Sequence, residues 1–424
     1  MNTKEQFINY TKKLSTIEHG KEGPTAIPLV EDILNKLPID WSDPNLKILE
    51  PCFGFGTFLY FTYLRLLKYH DETHILDNML YGIEIEPFRY QLTKNKFKIK
   101  NLYLGDTLNP TNKIEEILNM EFDVILGNPP YQANLDNANK KAEKPWPKFI
   151  YECEKRLGKN GLLSFVTPTS WLSGSKNIIK GSVGVMDVFL KNNLKYIQTG
   201  YKFKGVSVDT HFWIMRKNNQ YSNTNIFDSI TNQSRTISLH NGFLPGDLGF
   251  ERIGIIEKVF SANSFDWIPS TSMYTRYRKD SVENKTPTHM VKTYVRGGND
   301  EELLFAYFKQ ECSPENNKIK KVIIPLSGAE KFRPFIDIEG IPYCVDSYLI
   351  PLDDTATYDS VYSIFYSKLF KYLIESYRTS GFIQYPIVKK LPKLDTTKVY
   401  TDNDIYKFLG LTKKEIDCIE NYVR

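Results

Sequence analysis

Between residues 46 and 128, apolar β-rich runs alternate with helical ones, and each apolar run stops at an acid or an amide. Leu46 to Leu49 ends in Glu50, and Met79 to Ile83 ends in Glu84. Leu102 to Leu104 passes through Gly105 into Asp106, and Phe122 to Gly127 ends in Asn128. Short strands separated by helix-length segments predict a doubly wound, parallel α/β sheet of the Rossmann-like kind. Ligands of such a sheet sit at the carboxyl ends of its strands. One acid at that edge says little. Polar groups ending four successive strands mark the edge as a binding site.

The loops refine the chemistry. Glu50-Pro51-Cys52-Phe53-Gly54-Phe55-Gly56-Thr57 leads into a helix from Phe58 to about Lys68, the strand–glycine loop–helix order of a nucleotide-like site. It lacks the third glycine of a dinucleotide fingerprint and the lysine of a P-loop, which counts against both. Glu84 is placed to accept both ribose hydroxyls of an adenosine group, and Asp106 to accept from an adenine amine. Glu86 reads better as a solvated carboxylate. In Asn128-Pro129-Pro130-Tyr131 the two prolines fix φ and remove two donors. Carbonyls, an amide oxygen and an aromatic face remain, a set able to hold an aromatic amine. The tetrapeptide alone reads equally well as an ordinary turn.

Upstream, Ile27, Val30, Ile33, Leu34 and Leu37 share one helical face, with Pro28 in the first turn and Pro38 at the end. Downstream, a polar stretch at 132–144 precedes a helix (Phe149 to Leu157) and a strand (Gly161 to Val166). Tyr196 to Lys202 and His211 to Met215 predict an antiparallel hairpin at the sheet edge, with Phe203 in its loop. An asparagine-rich shift at 218–241 predicts a boundary between domains 1–235 and 236–424. The second domain reads as α+β, with a helix at 252–260 and amphipathic helices at 361–376, 404–409 and 413–422. Met273 to Lys279 interleaves aromatics with cations, which suits phosphates and bases and equally suits a solvated strand face.

The net charge of +5 lies entirely before residue 236, where 30 basic residues face 25 acidic ones. Residues 174–218 are the densest part. This balance permits nucleic-acid binding. The five cysteines show no metal-ligand spacing, and no apolar run approaches a membrane span of about 18–20 residues, so a reduced, cytoplasmic protein without metal is expected.

Glu50-Pro51-x-x-Gly54-x-Gly56, then Glu84, Asp106 and Asn128-Pro129-Pro130-Tyr131, in this order, resembles the S-adenosylmethionine-dependent DNA adenine-N6 methyltransferases. The group it resembles has cofactor motifs first, NPPY next and a C-terminal target-recognition domain, and it includes modification enzymes of type II restriction systems. The resemblance covers about residues 45–215 in detail. It implies that Thr25, Glu50, Pro51, Gly54, Gly56, Glu84, Ile85, Asp106 and Asn128 line the S-adenosylmethionine site. It also implies that Asn128, Pro129 and Pro130 engage adenine N6, and that Tyr131 and Phe203 stack on a flipped base. Double-stranded DNA and a separate cognate restriction endonuclease are the implied partners. The family's N-terminal motif reads Thr-Pro, whereas Thr25 is followed here by Ala26, with the proline only at Pro28. Lys191, Lys195 and Lys202 are expected to meet phosphates, and Arg276, Tyr277 and Arg278 to meet bases. An NPPY enzyme acting on RNA or protein glutamine, and a silent DNA-specificity subunit of the same fold, are the alternatives.

Overall fold

The computed structural model describes residues 24–131, 144–172, 178–180, 183–201, 210–218, 223–229, 232–238, 250–270, 281–282, 289–293, 303–308, 319–325, 334–340, 347–376 and 385–423. The chain divides into two compact units, Met1–Trp171 with Lys176–Gly242, and Leu172–Ser175 with Phe243–Arg424.

The first unit is built on a nine-stranded sheet. Its strands are β1 (Ile48–Glu50), β2 (Leu80–Glu84), β3 (Asn101–Leu104), β4 (Phe122–Gly127), β5 (Leu157–Pro168), β6 (Asn193–Tyr201), β7 (Thr210–Arg216), β8 (Thr224–Asp228) and β9 (Gln233–Ile237). Their spatial order is β9-β8-β6-β7-β5-β4-β1-β2-β3. From β3 to β5 every pairing is parallel, whereas β7 runs antiparallel to both β5 and β6. The expected β6–β7 hairpin is therefore present. Past it the sheet continues through β8, parallel to β6, to β9, antiparallel to β8, so the antiparallel pair at the edge is β8–β9. The asparagines at 218–241 hid these strands, because β9 is largely solvated and carries no alternating apolar signal.

Both β1 and β2 are buried at every position, as strands covered on both faces must be. Helix α1 (Ile27–Lys36) starts with proline in its first turn and buries Leu29, Val30, Ile33 and Leu34 in the core that also holds Ile48, Phe58, Leu80 and Val124. Helices α2 (Thr57–Leu66), α3 (Pro87–Lys96), α4 (Asn112–Leu118) and α5 (Trp146–Arg156) connect the parallel strands. Helix α6 (Val185–Lys191) precedes β6, and Phe189 meets Trp171 and Trp213 edge-on, at 4.8 and 4.7 Å between ring centroids.

The second unit is α+β. A four-stranded antiparallel sheet joins Ile268–Ser270, Ser347–Pro351, Lys321–Pro325 and Phe335–Asp337, and a three-stranded one joins Ser281–Val282, Leu303–Phe308 and His289–Thr293. Helices lie at Phe250–Ser261, Tyr358–Phe365, Lys368–Ser376, Asp402–Phe408 and Lys413–Tyr422. The amphipathic run expected at 361–376 is broken at Ser367. Its hydroxyl donates to the Ile364 carbonyl at 2.7 Å and accepts from the Phe370 N–H at 3.4 Å, which stops one helix and caps the next.

Candidate active site

The chain leaves β1 outward to β2 and β3, then returns to place β4 on the other side of β1. The loops after β1 and β4 thus begin side by side at the point where the winding reverses, which is where doubly wound sheets bind ligands. A Cβ at Gly127 would lie 3.7 Å from the Glu50 side chain and 3.8 Å from Pro51.

After β1 the backbone turns tightly, with the Gly56 N–H donating to the Phe53 carbonyl at 2.7 Å and the Phe53 N–H to Ile83 at 3.1 Å. Gly54 and Gly56 adopt φ of 52° and 74°, left-handed values that favour glycine. A side chain at Gly56 would also run into Thr93 at 2.9 Å, whereas Gly54 faces open space. This gives a loop a ligand can approach closely. It is also wired to the next strand: Glu84 Oε2 accepts from the Gly54 N–H at 2.6 Å, and Oε1 from the Glu86 N–H at 2.9 Å. Glu86 caps α3 by accepting from the Phe88 and Arg89 N–H groups, which is its structural employment.

Glu50 and Glu84 are both buried, at 2% and 4% exposure. Burial raises the Glu50 carboxyl well above its usual range, against a hydrogen bond from the Leu59 N–H; the charge on Glu84 raises it further. Glu84 is also raised by burial, opposed by the Glu86 and Gly54 N–H groups and by Arg89. Ile85, next to Glu84, is 63% exposed. Asp106 heads a turn at the end of β3, accepting from the Leu108 N–H and the Asn109 amide, each at 2.8 Å.

At the end of β4, the Asn128 Nδ2 donates to Thr25 Oγ1 at 3.4 Å, while its Oδ1 is buried without a hydrogen-bond partner. The Tyr131 hydroxyl is likewise buried and unpartnered, and burial pushes its pKa up, so it stays protonated. Pro129 contributes no N–H to this corner. An unpartnered buried carbonyl costs about 1–3 kcal/mol, and it is offset when a donor arrives.

These geometries bring Thr25, Glu50, Pro51, Gly54, Gly56, Glu84, Gly127 and Asn128 to adjoining strand ends. Asp106 stands one strand out, in the turn that follows β3. Lys191 lies 3.7 Å from Glu154, and Lys195 is half-buried on β6. Phe203, Lys202, Arg276, Tyr277 and Arg278 lie outside the described residues. Sequence reasoning passed over His211 on β7, opposite Thr167 of β5, which is buried with neither ring nitrogen hydrogen-bonded. Burial lowers its pKa to about 4. A lone histidine inside an apolar run offers no spacing that could have flagged it.

Residues 78–182 match the Eco57I restriction-modification methylase family. The matched segment runs from the start of β2 past β5 and includes Glu84, Asp106 and the NPPY corner. No curated protein sequence matches the chain. Among solved structures, the chain is similar to the M protein of the type I restriction enzyme EcoKI, at 17% identity and a TM-score of 0.40 over 50% of this chain and 49% of that one. It is similar to a modification subunit of a putative type I restriction enzyme from Vibrio vulnificus YJ016, at 17% identity and a TM-score of 0.39 over 54% and 53%. A nuclease-deletion mutant of the type ISP restriction-modification enzyme LlaGI matches at 13% identity and a TM-score of 0.49 over 86% and 44%. The chain spans about half the length of the type I proteins it matches.

Proposed function

We propose that this chain transfers a methyl group from S-adenosylmethionine to N6 of adenine in double-stranded DNA, as the modification arm of a restriction-modification system with a separate endonuclease. The observation that carries the reading is the buried, unpartnered Asn128 Oδ1 beside the Pro129 carbonyl, two acceptors at the sheet's switch point. An exocyclic amine would bring one N–H to the unpartnered Oδ1 and a second to the Pro129 carbonyl.

The residues fit the cofactor. Gly54 gives backbone access, and the buried acids Glu50 and Glu84 offer carboxyl groups at neighbouring strand ends. Glu84 would accept from the ribose hydroxyls, Ile85 would lie along the adenosine, and Asp106 would accept from the adenine amine. When bound, the cofactor supplies an electrophilic sulfonium methyl.

Chemistry on N6 requires the base outside the stack, at a cost of a few kcal/mol. Stacking on Tyr131 and Phe203 would offset that at roughly 1–3 kcal/mol per base. The N6 lone pair is conjugated with the ring and is a weak nucleophile. Acceptance of both N6 protons by Asn128 and Pro129 draws the nitrogen toward tetrahedral geometry and stabilises its developing positive charge. The same acceptors would receive the amine of an RNA base or the amide of glutamine. The second unit, some 180 residues long, supports the DNA reading, because a second domain of that size could serve target recognition.

The test is incubation of the chain with isotopically labelled S-adenosylmethionine and genomic DNA, total RNA or a glutamine peptide, followed by mass spectrometry of the digests. N6-methyladenine from DNA is expected. Label confined to RNA or peptide would overturn the assignment.

A further inference from the structure

An asparagine amide serves this chemistry in one orientation only. With Oδ1 toward the substrate it accepts from the amine. Turned by 180° about its last torsion, it presents Nδ2, and donor meets donor. The geometry on both sides of Asn128 bears on which orientation holds. Pro129 and Pro130 remove the two backbone N–H groups that follow it, so neither can donate to Oδ1. The other end of the amide is engaged: Nδ2 donates to Thr25 Oγ1 at 3.4 Å, across 103 residues of sequence. Oδ1 is left buried and without a partner.

Thr25 is well placed to act as a fixed point. It precedes α1 in a short extended segment, and α1 is anchored by Leu29, Val30, Ile33 and Leu34, all essentially buried. A hydroxyl can donate as well as accept, so Thr25 alone would tolerate either amide orientation. It becomes an obligatory acceptor when its own proton is taken by another group, such as the α-carboxylate of an amino-acid-bearing cofactor. The amide of Asn128 then has one satisfactory orientation.

We infer that Thr25 is a positioning residue for Asn128: by accepting from Nδ2 it holds Oδ1 toward the amine to be methylated. The inference rests on the N6-methyltransferase reading above. It gives Thr25 work that differs from holding the cofactor, and the two are separable. The same contact accounts for a threonine here without the proline that follows it in the resembling motif, because only the hydroxyl is used.

The test compares Thr25→Val, which keeps the shape and loses the hydroxyl, with Thr25→Ser, which keeps the hydroxyl. Single-turnover methyl transfer is measured at saturating S-adenosylmethionine and DNA, and S-adenosylhomocysteine affinity by calorimetry. Thr25→Val should slow the saturated step about tenfold, the worth of one hydrogen bond, over and above any weakening of S-adenosylhomocysteine binding from the donor lost to the α-carboxylate. Thr25→Ser should restore the rate to within about threefold of wild type. A second readout needs no turnover. In protein labelled with ¹⁵N-asparagine, the Asn128 side-chain resonances are assigned by their loss in Asn128→Ala. Their shift on S-adenosylhomocysteine binding should be the same in wild type and Thr25→Ser and differ in Thr25→Val.

A wild-type saturated rate in Thr25→Val overturns the inference, as does a loss confined to S-adenosylhomocysteine affinity, which would make Thr25 a cofactor ligand only. If Thr25→Val fails to fold, Thr25→Ala against Thr25→Ser decides by the same measurements. If wild type yields no N6-methyladenine, the parent reading fails by itself. The amide resonances still report whether Thr25 holds Asn128.

Discussion

Asn128 is a residue whose value lies in one atom. Its Oδ1 has no hydrogen-bond partner among the described residues, so removing it should leave folding nearly untouched. Asn128→Ala should keep S-adenosylmethionine affinity within a few-fold and lower methyl transfer by ~10²–10³-fold, as for one lost transition-state hydrogen bond. Methylation at the wild-type rate would remove Asn128 from the chemistry. Glu84 is the opposite kind of residue, since its carboxylate already holds the Gly54 and Glu86 N–H groups. Glu84→Ala should weaken S-adenosylmethionine binding by about 1.5–3 kcal/mol, read by calorimetry, and also lower the melting temperature by loosening the glycine loop. His211 sets a pH limit. Its pKa falls from 6.5 to about 4 on folding, so between those values the unfolded chain binds more protons than the folded one. Stability is full above about pH 6.5 and is lost as pH falls toward 4, by up to about 3 kcal/mol. Thermal melts from pH 7 to 4 should show this slope in wild type and a flatter one in His211→Leu.

At the scale of elements, the site depends on how closely strands and loops can approach. Gly82 lies inside β2 with ordinary strand geometry, yet a Cβ there would meet Phe53 at 2.7 Å and Leu102 at 2.8 Å. Phe53 belongs to the glycine loop and Leu102 to β3, so the absence of a side chain on β2 sets the spacing of three cofactor-side elements. Gly82→Ala should cost about 1–3 kcal/mol in denaturant unfolding and displace the loop from Glu84. Unchanged stability together with unchanged S-adenosylmethionine affinity would show that Phe53 and Leu102 give way freely. The join between the antiparallel and parallel parts of the same sheet depends on aromatic packing instead. Trp213 of β7 meets Phe165 and Phe189 and donates its N–H to Thr167 at 3.0 Å, which locks the antiparallel strands onto the parallel set.

For the whole molecule, the proposed function assigns DNA contact to both units. The positive balance lies before residue 236, and the remainder, with 25 basic and 25 acidic residues, is neutral. Under the proposed function, the first unit supplies general phosphate attraction and the second reads bases through local patches. Neutralising Lys191, Lys195 and Lys202 together should weaken binding to all DNA sequences alike and flatten the salt dependence. Changing Arg276 and Arg278 together should relax site preference in methylation mapping at intact S-adenosylmethionine affinity. If the arginine pair alters neither target choice nor DNA affinity, that stretch is a solvated face.

The sequence by itself determined strands β1 to β4 of the first unit's sheet, because each is a short apolar run closed by a polar residue, with β1 and β2 buried at every position. Glu50, Glu84, Asp106 and Asn128 were legible as site candidates for that reason, and Thr25 through resemblance alone. The tertiary structure decided what local pattern cannot carry. It added β8 and β9, whose polar faces mimic a linker. It also set the break at Ser367, where a hydroxyl overrides an unbroken amphipathic period. Above all it decided partners: that Glu84 binds the Gly54 N–H, that His211 is buried without one, and that Thr25 meets Asn128. Periodicity fixes which face of an element is buried. Only the packed chain brings atoms 103 residues apart within hydrogen-bonding reach.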